Sequence, residues 1–246
     1  MSEFLIRCSS LSALMADPVG YPRESMSEEE LAALNSKKRT AEQVAMLDAV
    51  MARTLSAGAK TEVHRLVRYH LFNYSAPELT GKEIKKGTLQ EATAIDLLSI
   101  VTGEMYTKNS ERRNNQWITG ECDIRGFGRG GEIKCPWSLE TFPLTSEEAR
   151  SMAIKAGYHM QVAGYMMLWD LPGWTISYCM VDTPTELLPP WEDTGPHDLA
   201  GIPLSHLITQ VNFERDLALE EKIKAKCEAA QLYAKELIKR FNHEHR

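Results

Sequence analysis

The chain has 246 residues, 43 % of them hydrophobic, enough to bury a substantial core as a single domain with room for an insertion. No apolar run approaches the ~20 residues of a membrane span and no leader pattern opens the chain, so a cytoplasmic protein with no membrane contact is expected. The net charge of −6 excludes a uniformly basic surface, yet cations cluster at Lys37, Lys38 and Arg39, at Lys82, Lys85 and Lys86, at Arg112 and Arg113, and at Arg125 and Arg129, leaving room for one basic lining.

FLIRCSSLSALM, residues 4–15, reads as an extended stretch turning into a short helix with Ser9 or Ser10 as N-cap. Because helix N-termini also bind phosphate, Ser9 carries two readings, cap and phosphate ligand. Residues of about 21–86 read as a helical insertion. Ser27 with Glu30 and Thr40 with Gln43 spell capping boxes, TAEQVAMLDAVMARTLSAGA is an amphipathic helix, and TEVHRLVRYHLF sets His64, Arg65, Arg68 and His70 among apolar residues. GTLQEATAIDLLSIVTG, residues 87–103, is a further helix stopped by Gly103. Thr88 and Glu91 spell a capping box at its start, but Glu91 also shares a stripe with Ile95, Leu98 and Thr102 that faces a sheet.

WITGECDIRGFGRGGEIKCPW, residues 117–137, predicts two strands joined by a glycine-rich turn. Gly126, Gly128 and Gly131 spell G-x-G-x-x-G, but a strand follows where a dinucleotide site requires a helix, so they are turn residues. In the second strand, side chains alternate, and Glu132 and Lys134 project from one face while Ile133 and Cys135 project from the other. Antiparallel pairing brings Asp123 beside Glu132. Two carboxylates so close repel unless a cation lies between them, and oxygen ligands without nearby histidine or a cysteine pair suit Mg²⁺ or Mn²⁺. The Lys134 ammonium then holds a water molecule beside the metal, which is hydrolytic machinery.

Residues of about 147–169 predict a helix with Tyr158, Gln161, Tyr165 and Trp169 on one stripe, in which a buried Gln161 amide needs partners. Strands follow at 173–182 and 206–213, separated by the proline-rich PTELLPPWEDTGPHDLAGIP, and a helix runs over about 214–242. Its stripe of Ile223, Cys227, Ala230, Ala234, Leu237 and Phe241 is a face for the rest of the fold or a short heptad seam. The five cysteines are odd in number and contain no C-x-x-C, which argues against a disulfide framework.

Asp123, a spacer and then Glu132-x-Lys134 form the signature of the PD-(D/E)XK nuclease superfamily. With GECDI, GEIKCP and YHMQVAGYMMLW around it, the chain resembles the phage lambda-exonuclease-like branch over residues 87–238 and, loosely, over the first 20. The resemblance implies a restriction-endonuclease-like α/β fold, a mixed β-sheet flanked by helices. It implies that Asp123 and Glu132 hold one or two Mg²⁺ ions, Mn²⁺ substituting, with the Ile133 carbonyl and Glu91 as further ligands. Lys134 positions the attacking water or offsets phosphate charge, and Gln161 bonds the phosphate, the water or Lys134. It further implies a serine near Ser9 at the 5′ phosphate, with Arg125, Arg129 and Tyr165 as candidates to touch DNA. The activity implied is 5′ to 3′ degradation of one strand of linear double-stranded DNA, by a homotrimeric ring. The 3′ strand left behind would go to a single-strand annealing protein, in a bacterial cell and from a phage or prophage gene. An endonuclease or resolvase, or a non-catalytic DNA-binding member, would carry the same motif.

Overall fold

A computed structural model of the chain describes residues 4–74, 81–126 and 128–245. In chain order its helices are α1 (Leu11–Met15), α2 (Glu28–Asn35), α3 (Ala41–Arg53), α4 (Ala57–Phe72), α5 (Lys82–Thr102), α6 (Ser146–Lys155), α7 (Tyr158–Trp169) and α8 (Leu217–Glu244). Its first strands are β1 (Ile6–Arg7), β2 (Thr107–Lys108), β3 (Arg113–Asn114) and β4 (Ile118–Gly120). The remaining strands are β5 (Ile124–Arg125), β6 (Gly130–Lys134), β7 (Gly173–Cys179) and β8 (Ile208–Glu214). They build two compact units: Met1–Ala76 with Asn114–Thr119 and Asp216–Arg246, and Pro77–Arg113 with Gly120–Arg215.

The first unit is mostly helical. Both capping boxes expected from sequence are present, Ser27 with Glu30 starting α2 and Thr40 with Gln43 starting α3. Ala33 of α2 and Leu47 and Val50 of α3 are buried together with Met26. α8 starts at Asp216, whose carboxylate accepts from the Ala218 and Leu219 amides. Its stripe buries Ile223, Cys227, Ala230 and Ala234, and it lies on α1, α3 and α4, so the apolar face is taken up by helices of its own unit. Lys226 is buried there and donates to the Thr54 carbonyl. β1 runs parallel to β4, with Ile6 beside Ile118.

The second unit is a five-stranded mixed sheet of order β2-β5-β6-β7-β8, flanked by α5, α6 and α7. β6 and β7 are parallel, and the other pairs are antiparallel. The expected hairpin is β5–β6, with Ile124 opposite Gly131. Three expectations change. The first strand of the hairpin is interrupted after Gly120, because the Asn109 side chain and amide take the Cys122 and Asp123 carbonyls. The helix placed at 87 begins at Lys82, so Thr88 is interior and its hydroxyl bonds the Ile84 carbonyl; no capping box forms with Glu91. The helix placed at 147–169 is two helices, broken where Gly157 adopts φ +78°. Among the described residues all five cysteines are free, and no helix is long and apolar enough to cross a membrane.

Candidate active site

β6 presents Gly130, Glu132 and Lys134 on one face, beside Trp174, Ile176 and Tyr178 of β7. Gly130 is required there, since a Cβ would stand 2.2 Å from the Trp174 ring. Glu132 is buried, and its Oε1 accepts from Lys134 Nζ at 2.8 Å and from Gln161 Nε2 at 2.9 Å. Gln161 also donates to the Tyr165 hydroxyl oxygen, and Tyr165 donates to the Glu121 carbonyl, both at 2.9 Å. The glutamine required by the α7 stripe thus finds its partners in the site. Asp123 Oδ2 accepts from the Ile133 amide at 2.7 Å, which ties the residue before β5 to the middle of β6.

Burial pushes the Asp123 carboxyl well above the ordinary carboxylate range, and the nearby Glu132 and Glu91 carboxylates push the same way. Lys134 behaves oppositely: burial disfavours its charge, but Glu132 and Asp123 outweigh that and raise its pKa. Its ammonium also sits 4.2 Å from the centre of the Tyr158 ring. Glu91 pairs with Lys108 Nζ at 2.6 Å. Asp123, Glu132, Lys134, Glu91 and Trp137 line a single cleft of about 520 Å³.

Does this donor set suit a divalent cation? Among the described residues Glu132 Oε2 is buried without a hydrogen-bond partner, beside a second carboxylate whose ionisation is opposed by burial and by Glu132 itself. A hard cation would satisfy the orphaned oxygen and relieve the repulsion, so the residues fit one. Among the described residues no three Asp, Glu, His or Cys side chains gather into a metal cluster, and Glu91 pairs with Lys108.

No protein-family model matches the sequence, and no curated protein matches it. Among solved structures, the phage related exonuclease from Haemophilus somnus 129PT matches at TM-score 0.79 and 33 % identity over 97 % of both chains. This chain belongs to the phage-related exonucleases. The alkaline exonuclease LHK-Exo from Laribacter hongkongensis shares the fold at TM-score 0.59 and 14 % identity, over 98 % of this chain and 93 % of that one. LHK-Exo in complex with dAMP matches at 0.54 and 18 %, over 79 % and 88 %. The protein is therefore a nuclease with the mixed-sheet fold expected from its motif.

The other expected site residues of this phage-related exonuclease lie as follows. Ser9 is exposed in the first unit, in a turn before α1; the α1 N-cap is Ser10, which makes no capping bond and hydrogen-bonds Glu62 instead. Arg125 pairs with Glu111 and Arg129 with Glu214, each at 2.8 Å, so both loop arginines are already matched by carboxylates. Tyr165 is buried and serves Gln161 rather than the surface. Ile133 engages Asp123 through its amide.

Sequence reasoning missed Lys108 and misjudged Lys86. Lys86 is fully buried, donates to the Trp137 carbonyl at 2.9 Å, and has its pKa pushed down to about 8 by burial. Its spacing from Gln90, Ala94 and Leu97 on one α5 stripe was the available signal.

Proposed function

We propose that this phage-related exonuclease degrades one strand of linear double-stranded DNA 5′ to 3′ with Mg²⁺, Mn²⁺ substituting. It would leave a 3′ single strand for a single-strand annealing protein in phage-type recombination. One observation carries the hydrolytic reading: a buried Glu132 carboxylate with an unsatisfied oxygen, the Asp123 carboxylate and the Lys134 ammonium line one cleft.

Asp123 and Glu132 would hold the ion, and Glu91 would join on leaving Lys108. The ion, when bound, supplies positive charge that polarises the phosphate and acidifies water. Lys134 is held in its charged form, so it acts as a hydrogen-bond donor and not as a base. Its free N–H groups orient the attacking water or a non-bridging phosphate oxygen, offsetting the charge that builds as the water oxygen bonds phosphorus and the P–O3′ bond breaks. Gln161 fixes Glu132 Oε1, which leaves Oε2 facing its task. Tyr165 in turn fixes Gln161, so the carboxylate is preorganised through two side chains. A ring of three chains around the duplex would explain how an acidic protein stays on DNA, threading replacing tight binding.

The test offers linear and covalently closed circular duplexes with Mg²⁺, the linear one labelled separately at its 5′ and 3′ ends. Degradation of linear DNA alone, with early loss of the 5′ label and arrest by EDTA, is expected. Cutting of closed circles would replace this reading with an endonuclease, and activity surviving chelation would remove the metal.

A further inference from the structure

Directly after Glu132-x-Lys134 the chain passes through Pro136 to Trp137, whose half-buried ring lines the same cleft as the carboxylates. Each of its handles is held. The indole Nε1 donates to Glu192 Oε1 at 2.7 Å, and the Lys82 ammonium lies 4.4 Å from the ring centre while also pairing with Glu192 at 2.7 Å. The His197 ring meets the indole edge-on at 5.2 Å, with its Nε2 3.6 Å from the same Glu192 oxygen. The Trp137 carbonyl accepts from Lys86 at 2.9 Å and from Thr183 Oγ1 at 3.2 Å. Lys82 and Trp137 together hold the Glu192 carboxyl below the ordinary range, so it stays an ionised acceptor.

This clamp joins the first turn of α5 to the proline-rich segment after β7, over a sequence distance of 110 residues between Lys82 and Glu192. It holds the indole that lines the cleft in fixed orientation, with the Lys82 ammonium over the ring, three residues after Lys134. A prepared flat surface binds a flat partner with little ordering cost. In a nuclease cleft the flat groups are nucleobases, and every base offers a π-face, so stacking tolerates any sequence, as an exonuclease requires.

We propose that Trp137 is the platform on which a nucleobase flanking the scissile phosphate stacks, and that Glu192 and Lys82 are the residues that position it. The inference rests on the nuclease reading above and adds a substrate contact to it.

The test is a two-by-two comparison. Wild type and Trp137→Ala are each given linear duplexes with an intact nucleotide, or a tetrahydrofuran abasic residue, on either side of the first scissile bond. Loss of the stacked base should slow the wild type by ~5- to ~150-fold in kcat/KM. The same loss should have little effect on Trp137→Ala, and Trp137→Phe should recover part of the difference. Independently of whether the variants fold, 2-aminopurine at the stacking nucleotide should be quenched when wild-type protein binds in Ca²⁺. Costs of ring and base that simply multiply, or an unquenched 2-aminopurine on both sides, overturn the platform while leaving an active nuclease. An inactive wild type would overturn the nuclease reading, and this inference with it.

Discussion

Replacing Lys108 by Met separates the two things Glu91 can do. The ion pair is short, 2.6 Å, but Lys108 is 61 % exposed and Glu91 22 %, so water screens it. Exposed pairs of this kind contribute ~0.2–1 kcal/mol net. Withdrawing Glu91 from Lys108 therefore costs at most ~1 kcal/mol, which caps the effect on a binding constant at about 5-fold. Methionine keeps most of the apolar stem and removes only the charge. If Glu91 is a ligand in waiting, Mg²⁺ titrated calorimetrically into DNA-free Lys108→Met should bind up to ~5-fold more tightly than to wild type. The gap should narrow at high salt, where the wild-type pair is screened as well. Glu91→Gln should move the constant the other way. Stability of the metal-free Lys108→Met chain should fall by no more than ~1 kcal/mol, the most such an exposed pair contributes. Equal Mg²⁺ affinity in wild type, Lys108→Met and Glu91→Gln would refute the reasoning and leave Glu91 as no more than the partner of a surface lysine.

Asp123→Asn and Lys134→Ala should each lower the cleavage rate by at least ~10²-fold in a gel assay while DNA binding persists, because both groups act mainly on the transition state; near-normal turnover in either would undo the site. The raised Asp123 pKa gives a signed pH effect. Its protonated form is favoured in the folded state, so its stabilising contribution is complete below its unfolded pKa of ~4 and is lost as pH rises through the higher folded value. The Tm of metal-free protein, relative to Asp123→Asn, should therefore fall as pH rises above ~4, and saturating Mg²⁺ should abolish the fall; a relative Tm that climbs with pH would contradict it. Tyr178 is buried with a hydroxyl that has no hydrogen-bond partner among the described residues, so Tyr178→Phe should raise stability by ~1 kcal/mol, a Tm gain of about 2–4 °C by calorimetry. A lower Tm would show that the hydroxyl is satisfied.

What the sequence made legible is what local rules decide. The two-residue period of a strand was enough to place Glu132 and Lys134 on one face, and three-residue spacing was enough for the capping boxes of α2 and α3. Where tertiary structure overrides such a rule, the reading failed, and the failures share a form. Gly87 looked like a helix start but lies inside α5, while Gly157 looked like interior helix and breaks the chain at φ +78°. Glycine is permissive in both places, so only packing from outside the helix decides which conformation it takes. The partner of Glu91 turns on the same glycine. With Gly87 interior, the capping box vanishes and the carboxylate is released to an interaction 17 residues away, on β2, a strand of two residues too short to show any period. Lys86, grouped by sequence with Lys82 and Lys85 as a cluster for a basic lining, was misjudged for a related reason, since the packing of α5 encloses it. The carboxylates that Arg125 and Arg129 meet approach only through the fold. The site is therefore legible where its residues are neighbours along one strand. Wherever a residue's role depends on which distant charge reaches it first, as for Glu91 between Lys108 and a metal ion, the competition is settled by free-energy differences of about 1 kcal/mol, which no residue pattern carries.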